Sequence, residues 1–430
     1  MEYKCLPNGF QVIYEKPPSS LPITSICVIC KLGSASEPAH LKGVSHLIEH
    51  LCFKGTINTP NTKSFLEEFS MLGVEHSAFT NQEAVWFRIK CQDNHLEKCI
   101  KLLSESILSS QFSFENFKKE EDVIHEENRK DEDNPNFIIS INTVGLLFEN
   151  TPFQQPVDHT CYHKTKFNYK EVYKYYKETY VPSNLYLSIT TNTSFNNVLK
   201  YIKKTEFAKN EKFMSNQMRI VPQQLGFDYK IIQKKELKSV LLNIAFRTCD
   251  YYNTDSYILN LLIFVLGNGL NGRLVNTLRQ KYGLVYYINA SAEYNFLGGF
   301  LNISTQCDAQ SLMNKSPSVL PLIIKELRML LKGITQKELT MAKNNKKEEI
   351  LFALEDSHTL SWYNGWSLLY YKPELVVPYS KVYKTYIENI TLQDVNDCIK
   401  KYFRLDRMCF VVLGNNLPST NAMLSQCLEL

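Results

Sequence analysis

A chain of 430 residues, 44% hydrophobic and 21% charged, has the balance of a globular protein and is too long for one ordinary core, so two or more domains are expected. A net charge of +4 spread over that length is not the concentrated basic field that nucleic-acid binding needs. The most apolar helical stretch, 257–266, has about half the length of a membrane span, so no membrane insertion is expected.

Twelve cysteines are scattered through apolar segments instead of forming a short spaced framework. That pattern favours reduced thiols and a cytoplasmic or other reducing compartment. The single C-x-x-C, Cys27 to Cys30, lies in an apolar run that reads as strand packing. The first residues enter a strand pattern at once, with neither a signal-peptide core nor an arginine-rich transit segment.

Along the chain, 11–14 and 25–32 read as strands, 44–53 and 64–72 as helices, and 75–80 and 84–91 as strands. Helical spacing fills 96–108, 114–129, 137–148 and 170–178, and 185–191 is a further strand. The polar, irregular stretch 192–226 contains a linker, placed at 206–226. Beyond it the order begins again. Strands are expected at 227–233, 240–248, 286–293, 300–307 and 408–413, with helices at 257–266, 273–280, 319–331, 336–356 and 358–369. The shared order argues for duplication of one unit of roughly 200 residues. The fold class is therefore α+β: two tandem homologous domains, 1–205 and 227–430, each a mostly antiparallel sheet packed against helices.

The stretch VSHLIEHLCF holds His46, Glu49 and His50 as H-x-x-E-H. On a helix, residues 46 and 50 stack on one face with Glu49 beside them, a grip for one zinc ion with a carboxylate placed to accept a proton from water. Nine histidines and at most 44 acids in 430 residues give about 0.02 random matches to this pattern. In the second half the corresponding helix, YILNLLIFVL, offers no ligand. A third ligand is needed, and the helix KKEEDVIHEENRK supplies Glu120, Glu121, Asp122, Glu126 and Glu127. Glu120 and Glu127 are two helical turns apart, so one can bind metal while the other supports a ligand.

H-x-x-E-H followed by this pair of glutamates resembles the inverzincin peptidases, the family of pitrilysin, insulin-degrading enzyme and the mitochondrial processing peptidase. LGSASEPAHLKGVSHLIEHLCFKGT and EEDVIHEENRKDEDNP are similar to that family's segments around the site, and VPSNLYLSI at 181–189 also matches. The resemblance implies a processing-peptidase-like α/β roll of the short two-domain type. It implies His46, His50 and Glu127 as ligands of one Zn2+ per chain, Glu49 as general base and Glu120 as the support of a ligand. NGLNGRLVNTLRQKYGLVYY is close to a segment in which an arginine and a tyrosine contact the substrate backbone or the tetrahedral intermediate, which implies Arg279 and Tyr286, with Tyr287 the neighbouring alternative. Where the family usually has Asn-Ala beside the site, this chain has Ser77 and Ala78, a shorter side chain for holding a peptide.

The function so implied is a zinc metalloendopeptidase that cleaves unfolded peptides or presequences inside a closed chamber. Family members either join four such domains in one chain or pair two shorter chains, so a homodimer or a heterodimer with a related chain is expected, with Arg279 and Tyr286 acting in cis or in trans. The rival is a non-catalytic peptide-binding or scaffold subunit of the same family. The two differ in whether the purified protein holds zinc.

Overall fold

Runs rich in β-branched and aromatic residues recur in two sets along the chain, and each set builds one sheet. The computed structural model describes residues 1–154, 156–157, 167–209, 226–269, 271–313 and 315–428. The strands are β1 Glu2–Cys5, β2 Gln11–Glu15, β3 Ile23–Cys30, β4 Glu75–Thr80, β5 Val85–Gln92, β6 Leu185–Thr190, β7 Asp228–Gln233, β8 Val240–Thr248, β9 Tyr287–Glu293, β10 Gly299–Cys307 and β11 Met408–Gly414. The helices of the first half are α1 Val44–Cys52, α2 Thr62–Leu72, α3 Leu96–Leu108, α4 Phe114–Asp133, α5 Pro135–Leu147, α6 Tyr169–Thr179 and α7 Phe195–Ile202. Those of the second are α8 Asp255–Leu266, α9 Ala309–Met313, α10 Val319–Leu331, α11 Gln336–Ala353, α12 Ser357–Tyr370, α13 Tyr379–Val382, α14 Leu392–Tyr402 and α15 Thr420–Leu428.

The first sheet has the order β1-β2-β6-β3-β5-β4 and the second β7-β11-β8-β10-β9. Without β1, the two orders are the same once strands are matched by their rank in each half. The senses match too: β2 with β6 and β7 with β11 are parallel, and the remaining pairs are antiparallel. The fold is thus α+β with two domains of one topology.

The chain packs as two compact units. Unit 1 takes Met1–Lys130, Pro156–Met218 and Ile350–Lys381, and unit 2 takes Asp131–Gln155, Arg219–Glu349 and Val382–Leu430. The division expected from the sequence is contiguous, whereas the compact units trade segments: α5, from the first half, lies in unit 2, and α12, from the second half, lies in unit 1. Of the expected linker 206–226, residues 210–225 lie outside the described residues.

In unit 1 the period of two along each strand sorts side chains to two faces. Val12, Ile26, Val28, Phe87, Ile89 and Leu187 join one core with α1, α3, α6 and α7. Ile13, Cys27, Ile29, Trp86 and Tyr186 point the other way, into a second cluster closed by Leu368, Trp362 and Trp366 of α12. In unit 2, α5 covers β8 and β11. Arg247 on β8 donates to the carbonyl of Leu147 at 2.7 Å, and its guanidinium lies 4.4 Å from the Phe148 ring centroid, which fixes the C-terminal end of α5. Among the described residues, no helix is long and apolar enough to cross a membrane.

Candidate metal centre

Helix α1 forms because Val44, Leu47, Ile48, Leu51 and Cys52 give it a continuous buried stripe, which leaves its polar edge to His46, Glu49 and His50. Its start is set by Gly43, whose φ of 90° suits glycine, and by a residue that the sequence reading did not single out. The carboxylate of buried Glu37 accepts the backbone N–H of Gly43 at 2.5 Å and of Ser45 at 2.8 Å. A negative group there satisfies helix-end donors and complements the helix dipole. Burial pushes the Glu37 carboxyl up, and the backbone donors offset only part of that rise.

The Nε2 atoms of His46 and His50 stand 3.1 Å apart. Oε2 of Glu127, on α4, is 3.8 Å from the first and 3.6 Å from the second. All three donor atoms lie within 4.8 Å of one another. Nitrogens that bind a tetrahedral ion at about 2.0–2.1 Å stand roughly 3.4 Å apart, so these separations and this donor set fit zinc. The glutamate side chain is 47% exposed, so the cluster opens to solvent on that side.

Glu120, one turn pair before Glu127 and buried, contacts the opposite nitrogen of His50: Oε2 to Nδ1 is 3.0 Å. Its other oxygen is 2.8 Å from Nζ of Lys54. Burial alone would raise the Glu120 carboxyl, but the donors of His50 and Lys54 outweigh it and hold the group below its ordinary value. An ionised Glu120 only accepts, so His50 carries its proton on Nδ1 and presents the Nε2 lone pair to the cluster. Two other acids of α4 are engaged elsewhere. Glu121 accepts from the backbone of Phe167 and from Lys118, and Glu126 pairs with Arg129.

Glu49 is 8% exposed and accepts from Thr80 Oγ1 at 2.6 Å. No motif in the sequence marks Thr80 as a site residue; the only signal for it is the alternation of β4, which puts residues 76, 78 and 80 on the α1 side. His76 stacks on Phe53 and Phe69 there, and Ala78 packs against the same core. Ser77 faces the other way and accepts from Arg88 Nε at 3.2 Å. Among the described residues β4 is the terminal strand of its sheet, and its outer backbone groups have no strand partner there.

In unit 2, Arg279 lies in the wide helical turn Val275–Lys281 and Tyr286 lies just before β9. The guanidinium carbon is 5.8 Å from the Tyr286 ring centroid, and Tyr286 is 85% exposed. The ring is therefore presented to solvent with a cation beside it, not packed into the sheet. Tyr287 is half-buried and its phenol is raised by that burial.

Two family models match consecutive stretches: "Insulinase (Peptidase family M16)" over residues 12–160 and "Peptidase M16 inactive domain" over 166–346. The chain belongs to the M16 peptidase family. It is 26% identical over 423 residues to the zinc protease YmxG of Bacillus subtilis, covering 97% of this chain and 99% of that one. A zinc protease of Rickettsia felis is 26% identical over 353 residues, 81% of this chain and 83% of its own. In fold, the chain is similar to the crystal structure of a protease from Helicobacter pylori, with a TM-score of 0.86 at 20% identity, covering 96% of this chain and 99% of that one. The M16 "inactive domain" model falls on the half whose helix α8 holds no histidine, while the H-x-x-E-H helix lies in the other match.

Proposed function

We propose that this M16 chain is a zinc-dependent endopeptidase acting on unfolded peptides or presequences, with one zinc ion per chain held by His46, His50 and Glu127. One observation supports this above all: three suitable donor atoms converge within 4.8 Å, and Glu49 projects from the same helix as two of them. When bound, zinc would polarise the scissile carbonyl and make water a stronger acid.

Glu49 takes the proton of the attacking water and returns it to the leaving amine, with Thr80 fixing the direction of its carboxylate. Glu120 keeps His50 in its ligating tautomer. Arg279 and Tyr286 are assigned to the substrate backbone and the developing oxyanion. The edge of β4, with Ser77 and Ala78, receives the substrate as an added strand.

The active unit is a dimer of two such chains, or of this chain with a related one, enclosing a chamber that admits only unfolded polypeptide. A reducing compartment suits the protein, since all eleven cysteines among the described residues are free thiols and ten of them are buried. The deciding experiment is hydrolysis of a quenched peptide library by the purified chain, blocked by a chelator and restored by zinc, run beside Glu49→Gln. Turnover by a Glu49→Gln protein equal to wild type would overturn the assignment.

A further inference from the structure

On the sheet face away from the histidine pair, a groove beside β4 is lined by Glu75, Ser77, Arg88, Lys90, Asp356 and His358, all in unit 1. Arg88 lies opposite Ser77 in the β4–β5 register. Its Nε donates to Ser77 Oγ at 3.2 Å, and its Nη1 donates to His358 Nε2 at 2.9 Å. The guanidinium also lies 5.3 Å from the ring centroids of both Phe79 and Trp362. Every one of these partners is neutral. Burial, and then the charge of Arg88 itself, keep His358 uncharged, so its Nε2 is an acceptor.

Two of the five guanidinium donors are used in this way. Among the described residues no carboxylate forms an ion pair with Arg88. The groove's other charges are differently placed. Asp356 accepts the backbone N–H groups of His358 and Thr359 at the start of α12 and lies 3.5 Å from Lys90. Glu75 stands opposite Lys90 in the strand register. Arg88 is thus the cation of the groove whose charge no contacting acid balances.

Three residues further along the same open edge, Thr80 holds Glu49. A strand added to β4 would run past both, and residues three apart on it, about 10 Å, point to opposite faces of the sheet, as Thr80 and Ser77 do. We propose that this groove reads an aspartate or glutamate side chain of the peptide substrate, with Arg88 as the specificity-determining residue. The inference rests on the peptidase reading and on substrate adding to β4.

The test uses the full-length zinc-loaded chain and quenched peptides in which a single Glu, Gln or Lys is walked along an Ala/Ser background. Wild type is expected to favour Glu over Gln by about tenfold in kcat/KM at one position, roughly three residues from the scissile bond. Arg88→Gln brings that ratio to about one, and Arg88→Glu moves the preference to Lys at the same position. Arg88→Lys keeps the charge without the fork and retains part of the preference; it decides the matter if the other variants do not fold. Cleavage with equal Glu and Gln rates at every position overturns the inference and leaves the peptidase reading standing.

If wild type cleaves none of the peptides, the peptidase reading fails on its own, and binding then decides the groove. The three tryptophans of the chain, Trp86, Trp362 and Trp366, cluster beside it, with Trp362 4.2 Å from Trp86 between ring centroids, so their fluorescence reports occupancy. Tighter binding of the Glu peptide than of its Gln counterpart, lost in Arg88→Gln and partly retained in Arg88→Lys, supports the inference, and equal binding overturns it.

Discussion

Glu120 Oε2 lies 3.0 Å from Nδ1 of His50, and the same carboxylate is anchored by Lys54 at 2.8 Å. One helix thereby dictates which nitrogen of a histidine on another helix is free to bind. Glu120→Ala is expected to lower zinc affinity about 10- to 100-fold without unfolding unit 1, because the ring loses its acceptor and its fixed tautomer. Competition against a chromogenic chelator reads the affinity, and an unchanged value would show that His50 is oriented by packing alone.

Thr80→Val removes the donor to Glu49 at nearly constant volume. The carboxylate then loses its aim while His46, His50 and Glu127, the proposed metal ligands, are untouched. A drop in kcat of about tenfold is expected with zinc content unchanged, against about a hundredfold or more for Glu49→Gln. Thr80→Ser should recover most of the loss, which a packing defect would not allow.

Glu37→Ala should destabilise unit 1 by about 1–2 kcal/mol, the usual scale for losing an N-terminal cap that serves two backbone donors. His46 sits in the second position after the helix starts, so zinc affinity should fall with stability. Urea unfolding in the presence and absence of zinc measures both effects on one sample.

Much of this site is legible in the sequence because its spacing is local. His46 and His50 must share a face if 44–53 is helical, and a third ligand must then come from elsewhere, which draws the eye to α4. Thr80 and Glu37 are a different matter. Thr80 matters only once β4 is known to turn that face toward α1, and glutamate seven residues before the first residue of a helix is not a usual capping signal. The strands emerged close to their observed bounds, since period-two patterns are strong where one or both faces are buried. The exchange of α5 and α12 did not emerge, because a helix's own pattern says that it is covered, never which sheet covers it. Helix α14 carries its own start signal in the sequence, the capping box formed by Thr391 and Asp394.

Acid stability of unit 2 should depend on Arg273 and Glu338, whose side chains meet at 2.6 Å. Burial raises the Glu338 carboxyl, but hydrogen bonds from Arg273 and Thr335 outweigh it and bring the group down to about 2. A depressed carboxylate contributes stability that is full above its unfolded pKa, near 4.5, and is lost as pH falls toward 2. Because water reaches the pair, the contribution is about 1–2 kcal/mol after discounting for screening. Glu338→Gln should lower stability at pH 7 by that amount and flatten its decline between about pH 4.5 and 2. Thermal melts across that range test the sign: a variant that loses stability with acid as steeply as wild type would contradict it.

The docking of α12 onto the first sheet turns on Gly365. A Cβ built there would stand 2.5 Å from Cδ1 of Ile29 and 3.2 Å from Cβ of Ser188, both in the buried sheet. Alanine gains about 1 kcal/mol in helix propensity but loses about 1–3 to overpacking, so Gly365→Ala should be neutral to mildly destabilising. Gly365→Leu has no comparable compensation and should cost about 2–3 kcal/mol. Trp86, Trp362 and Trp366 lie on the two sides of this contact, so the loss should appear in a melt followed by tryptophan fluorescence. If leucine were tolerated with an unchanged midpoint, α12 would not be held to the sheet by close approach at residue 365.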